Sequence, residues 1–103
     1  MKTVLVTGSA GRVGQAAVQS LIRAGWHVRG YDRVPSPGAH ESFVGDLADA
    51  AGLRRAAHAA NAVIHLAATP DDDEFMTQLL PNNIVGLYNV MEAARLEKVP
   101  RVI

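Results

Sequence analysis

Cysteine is absent from the 103 residues, and that absence removes disulfide frameworks, thiolate metal sites and thiol nucleophiles together. An excess of charge of either sign is also missing: ten Lys and Arg balance ten Asp and Glu, so there is no basic patch to favour nucleic acid or an anionic membrane. No apolar run approaches the length that spans a bilayer, and the apolar stretch after Met1 is too short for a signal peptide, which points to a cytoplasmic protein. His27, His40, His58 and His65 are scattered without ligand spacing, so no metal site is expected. What the chain does have is apolar material, 49% of its residues against 19% charged, enough for one globular domain with a modest core.

The apolar pattern alternates between strand and helix signals. Val4-Leu5-Val6 reads as a first strand buried on both faces. Val13, Ala17, Leu21 and Ala24 then recur at near-helical spacing up to Gly25, a candidate C-cap. A second strand is expected from His27 to Tyr31, ending at Asp32, followed by a Pro35-Ser36-Pro37-Gly38 loop and a short third strand at Ser42-Phe43-Val44. Asp49 is placed to cap a helix from about Ala50 to Ala59, and Ala62 to Leu66 reads as the fourth strand. Asp71 to Glu74 opens a further helical stretch interrupted by Pro81, after which Ile84, Leu87, Met91 and Ala94 mark one apolar face. Arg101-Val102-Ile103 resembles a fifth strand just beginning. Strands separated by helices imply right-handed crossovers and a parallel sheet. The expected fold is therefore α/β: a three-layer α/β/α, Rossmann-type doubly wound sheet, of which residues 1–103 supply about five strands and the N-terminal half.

Thr7-Gly8-Ser9-Ala10-Gly11-Arg12-Val13-Gly14 sits between the first strand and the first helix. Gly8 allows a sharp turn, Gly11 removes the side chain where a pyrophosphate approaches backbone, and Gly14 lets the helix pack close on the sheet. The helix N-terminus presents N–H groups and a positive dipole end to phosphates. The other reading is a tight structural turn. Asp32, at the tip of the second strand, is placed to accept hydrogen bonds from an adenosine ribose diol. A 2′-phosphate there would meet a carboxylate, which favours NAD over NADP. Arg33 and Arg12 lie close enough in sequence to weaken that preference.

With Gly45-Asp46-Leu47, His65-Leu66-Ala67-Ala68 and Asn83-Ile84-Val85-Gly86 running into Glu92-Ala93-Ala94, these motifs resemble the extended short-chain dehydrogenase/reductases of the NAD-dependent epimerase/dehydratase type. The likeness spans the whole chain. The stretch Asn82 to Arg95 is most similar to uronate dehydrogenases, although sugar epimerases carry similar residues. The resemblance implies cofactor contacts from Gly8, Gly11, Arg12, Val13, Gly14, Asp32, Arg33, Asp46, Leu47, Leu66, Ala67, Ala68 and Asn83. Asp46 would bond the adenine amino group, with Leu47 beside the ring; the competing role for Asp46 is to cap the next helix. Asn83 would support the active-site geometry. His65 invites assignment as a general base but fits a structural histidine beside the sheet better, and Asp71-Asp72-Asp73-Glu74 fits a solvated helix start better than a magnesium site.

The family's chemistry uses a tyrosine with a lysine four residues on, because a free phenol is a poor base at neutral pH. Tyr31 is followed at that spacing by Pro35 and Tyr88 by Glu92, so no catalytic residue is expected within this chain. Two readings stand. One is the cofactor-binding part of an NAD-dependent oxidoreductase or epimerase acting on a sugar, uronate or nucleotide sugar. The other is a non-catalytic dinucleotide-binding or interaction module. A chain stopping as its fifth strand begins is expected to be truncated and to self-associate through the fourth strand or the fifth-strand stub.

Overall fold

A computed structural model of the chain describes residues 2–67 and 83–103. The first run of β-branched residues forms β1 (Thr3–Thr7), followed by α1 (Arg12–Arg23), β2 (His27–Asp32), β3 (Glu41–Val44), α2 (Ala50–Ala57), β4 (Ala62–His65), α3 (Gly86–Leu96) and β5 (Arg101–Val102). Among the described residues the strands form one parallel sheet in the order β3-β2-β1-β4-β5. Strand order reverses between β1 and β4, and the crevice beyond their C-terminal ends is where open α/β sheets bind ligands.

Alternation along the buried strands divides the core into two layers. Val4 and Val6 of β1, Val28 of β2 and Ala62 of β4 pack on Val18, Leu21 and Ile22 of α1. Leu5, Tyr31 and Val63 point to the other face, where Leu53, Ala56 and Ala57 of α2 meet Val90, Ala93 and Ala94 of α3. The three-layer architecture thus follows from strands that are apolar on both sides.

Two helix faces differ from their sequence-based expectation. On α1 the buried residues are Gly14 and Val18, continued by the half-buried Leu21 and Ile22, whereas Val13 is 68% exposed. On α3 the buried face is Gly86, Val90, Ala93 and Ala94; Ile84, Leu87 and Met91 are exposed. On each helix glycine or alanine shares the buried face with a valine, Val18 on α1 and Val90 on α3, while Val13, Leu87 and Met91 lie on the flank.

The ends of the helices are determined locally. Trp26 N donates to Leu21 O and Gly25 N to Ile22 O around Gly25 at φ 94°, a Schellman stop in which glycine supplies the left-handed residue. Asp49 Oδ1 accepts from Gly52 N at 2.9 Å and caps α2, which ends at Ala57, two residues early, because Ala59 turns left-handed at φ 60°. Residues 83–85 form a π-type turn running into α3, so that helix has no capped start there. β4 is interior, paired to both β1 and β5, which corrects its expected place as one of two open edges; among the described residues β3 and β5 are the outer strands. The expected helix start at Asp71 to Glu74, the break at Pro81 and the Ala68 position lie outside the described residues.

Candidate dinucleotide site at the sheet switch point

The glycine turn is built against the exits of β2 and β4. Gly8, at φ 73°, donates its N–H to Tyr31 O at 2.9 Å, and a Cβ on it would lie 2.7 Å from Ala67 N. The turn therefore rests directly on the chain leaving β4. At Gly14 a Cβ would lie 2.7 Å from the Gly8 carbonyl carbon and closer still to its oxygen. Gly11 differs: its φ of −75° suits any residue, and the nearest atom to an added Cβ is Gly8 O at 3.4 Å. Folding needs glycine at Gly8 and Gly14. It does not need glycine at Gly11.

Gly11 is also the N-cap of α1 and has no side chain with which to close the helix end. The contrast with α2 is informative, since Asp49 caps that helix with its carboxylate. The first N–H groups of α1, from Arg12 to Gly14, precede the first intrahelical bond, from Gln15 N to Gly11 O at 2.8 Å. They are suited to an anion.

Asp32 joins the turn to the end of β2. Its Oδ2 accepts from Ala10 N at 2.9 Å and its Oδ1 from Arg33 N at 2.7 Å. Each oxygen keeps a second lone pair, which suits a diol donor. The register sets Val44 opposite Asp32, and Gly45 N donates to Asp32 O at 2.9 Å, so the chain brings Asp46 beside Arg33, Oδ2 to Nε 3.8 Å. Asp46 does not cap α2. Its Oδ1 closes a local turn onto Ala48 N at 2.9 Å.

The Asp46-Leu47 segment is held by two side chains that the sequence reading left without a role. The Tyr31 hydroxyl donates to Asp46 O at 2.7 Å, and Asn89 Nδ2 of α3 donates to Leu47 O at 2.8 Å. Burial, reinforced by the Asp49 and Asp46 carboxylates, pushes the Tyr31 hydroxyl up to about 12, so it remains a donor. A third support lies under the turn, where the buried hydroxyls of Ser9 and Ser36 bond each other above Gly30, and Ser36 N donates to Ser42 Oγ at 2.9 Å. A Cβ on Gly30 would lie 2.6 Å from Ser9 Oγ. A glycine inside a strand signals such a close approach, and it was the one available clue.

At the exit of β4, Leu66 is exposed and Ala67 half-buried, both against the glycine turn. Asn83 lies in the π-type turn before α3, half-buried. Arg12 and Val13 are exposed at the start of α1. The structure thus gathers Gly8, Gly11, Gly14, Asp32, Arg33, Asp46, Leu66 and Ala67 at the C-terminal end of the sheet, with Leu47 buried below them. Among the described residues no group of three His, Asp or Glu is arranged to hold a metal, and no helix is long and apolar enough to cross a membrane.

A glycine turn opening an uncapped helix at a parallel-sheet switch point, with a carboxylate at the next strand end, is the arrangement that Rossmann-type α/β domains use for dinucleotides. The chain belongs to the NAD dependent epimerase/dehydratase family, whose model matches residues 4–103. It is 36% identical over 106 residues to a uronate dehydrogenase of Agrobacterium fabrum, covering 100% of this chain and 40% of that protein. It is 32% identical over 109 residues to an L-arabinose 1-dehydrogenase (NAD(P)(+)) of Haloferax volcanii, again covering 100% of this chain and 40% of the relative. The crystal structure of uronate dehydrogenase from Agrobacterium tumefaciens superimposes with a TM-score of 0.88 at 34% identity, covering 99% of this chain and 39% of that one; a mutant of that enzyme is known complexed with NAD. MoeE5, in complex with UDP-glucuronic acid and NAD, superimposes with a TM-score of 0.86 at 34% identity, covering 97% of this chain and 35% of that one. The chain spans about two fifths of the length of the two curated relatives named.

Proposed function

We propose that residues 1–103 are the NAD-binding part of an extended short-chain oxidoreductase or epimerase acting on a sugar, uronate or nucleotide sugar. The carrying observation is the uncapped start of α1 at Gly11, a cradle that a side chain would fill, next to the Asp32 carboxylate. In this reading the N–H groups of Arg12, Val13 and Gly14 bind the pyrophosphate, and Asp32 orients the adenosine ribose. Arg33, Asp46 and Leu47 flank the adenine. Leu66, Ala67 and Ala68 lie along the second ribose, and Asn83 supports the reacting end. A bound nicotinamide supplies the hydride acceptor. The relatives' sugar and nucleotide-sugar names support the substrate class, and the NAD complexes of MoeE5 and uronate dehydrogenase support the cofactor.

Titration of the chain with both dinucleotides tests the cofactor assignment. NAD should bind at least about tenfold more tightly than NADP, the equivalent of about 1.4 kcal/mol from one misplaced like charge. Equal or tighter NADP binding would overturn it and make Arg12 and Arg33 the partners of the 2′-phosphate. Asp46→Ala should weaken NAD binding by about fivefold, the worth of one hydrogen bond of about 1 kcal/mol, with little change in melting temperature because Asp49 remains as the helix cap. Unchanged affinity with a lowered melting temperature would leave Asp46 a purely structural turn residue.

A further inference from the structure

We propose that His65 is a positioning residue for the dinucleotide: held neutral by Thr7, it fixes the Leu66-Ala67 wall of the crevice, so that protonating it weakens binding. The inference rests on the cofactor reading above and adds to it a specific side chain and a pH response.

The tautomer follows from the donors around one oxygen. Thr7 Oγ1, at the fully buried end of β1, accepts from Leu66 N at 3.1 Å and from Ala67 N at 3.3 Å. Both N–H groups approach the hydroxyl as donors, the Leu66 N–H shared with Thr7 O at 3.2 Å, and are aimed at its lone pairs. Its own proton is then left for His65 Nδ1, which lies 2.6 Å away. In that arrangement Nδ1 accepts, and a neutral imidazole carries its proton on Nε2. A proton on Nδ1 would set two donors against each other and turn the hydroxyl away from the Leu66 and Ala67 amides.

The consequence reaches the site because the same two residues support the glycine turn. Leu66 C and Ala67 Cα each lie 2.9 Å from where a Gly8 Cβ would sit, so the strand exit cannot shift without moving the turn. Among the described residues His65 bonds Thr7 Oγ1 of β1 through its ring and, through its N–H, the carbonyl of Ile103 after β5 at 2.9 Å, and α3 packs on the strand that carries it. Neither bonding partner has a charged side chain, the α3 charges Glu92 and Arg95 pair with each other, and burial lowers the His65 pKa. A lowered imidazole pKa keeps the network whole above the ordinary value of about 6.5 and loses it as pH falls from there through the folded value.

The test compares NAD affinity of the chain from pH 7.5 to pH 5 in the wild type and in His65→Asn, whose amide oxygen can accept from Thr7 but does not titrate. The loss of affinity on acidification should be at least about threefold greater in the wild type than in the variant, with the two within about threefold of each other at pH 7.5. Nitrogen-15 NMR of the wild-type imidazole should show the Nε2–H tautomer at pH 7.5, which keeps the inference falsifiable should the variant fold poorly. An Nδ1–H tautomer, or equal acid losses in both proteins, would overturn the inference while leaving the cofactor reading intact. Absence of NAD binding by the wild type at pH 7.5 would overturn both.

Discussion

Gly11→Val is expected to reduce NAD affinity by at least about 100-fold, about 2.7 kcal/mol, while the chain stays folded. The two effects separate because this glycine is not required by its own backbone. Its φ and ψ, −75° and 173°, are extended values that valine adopts readily, and the nearest atom to the new Cβ lies 3.4 Å away. The folding cost is confined to a poorer N-cap, about 1 kcal/mol. A ligand sees a different change, since the isopropyl group occupies the approach to the first N–H groups of α1. Calorimetric titration with NAD and a thermal melt on the same sample provide the measurement. Retained affinity in a folded variant would remove the pyrophosphate from the start of α1.

This separation of roles was only partly legible in the sequence. The Gly8-Gly11-Gly14 spacing and the carboxylate at Asp32 place the site because they are local: each lies at the junction of a strand and the element that follows it. The phase of the helix faces was misread for a tertiary reason. Gly86 and Ala93 are weak hydrophobic signals, yet on α3 they face neighbouring elements while Leu87 and Met91 do not. The distinction between Asp46 and Asp49 as helix cap depended on three residues of geometry that composition does not resolve. Tyr31, Asn89 and Thr7 were invisible as supports because each bonds a backbone group distant in sequence, up to |i−j| = 60 for Thr7 with Ala67, and no periodicity records such a bond.

Gly14→Ala is where helix propensity and the structure predict opposite signs, and magnitude decides between them. Alanine is the better helix former by about 1 kcal/mol, so on propensity alone the substitution stabilises α1. The added Cβ, however, would lie 2.8 Å from Ser9 Cα and 2.7 Å from the Gly8 carbonyl carbon, and the obstacle is backbone rather than the end of a flexible side chain. Relief requires α1 to withdraw from the glycine turn, or the turn to move into Ala67, which already lies 2.7 Å from the position of a Gly8 Cβ. Withdrawal of α1 would also uncover Val18, which is fully buried against Val4, Val6 and Val28. Displacing backbone and core together belongs to the severe class of substitutions, above about 4 kcal/mol, comparable with the whole stability of a marginal domain of about 5 kcal/mol. Gly14→Ala should therefore abolish cooperative unfolding or lower its midpoint far more than Gly11→Val does, with NAD binding lost as a consequence of unfolding. A variant that melts at or above the wild-type temperature would show that propensity prevails and that α1 stands farther from the turn than these contacts require.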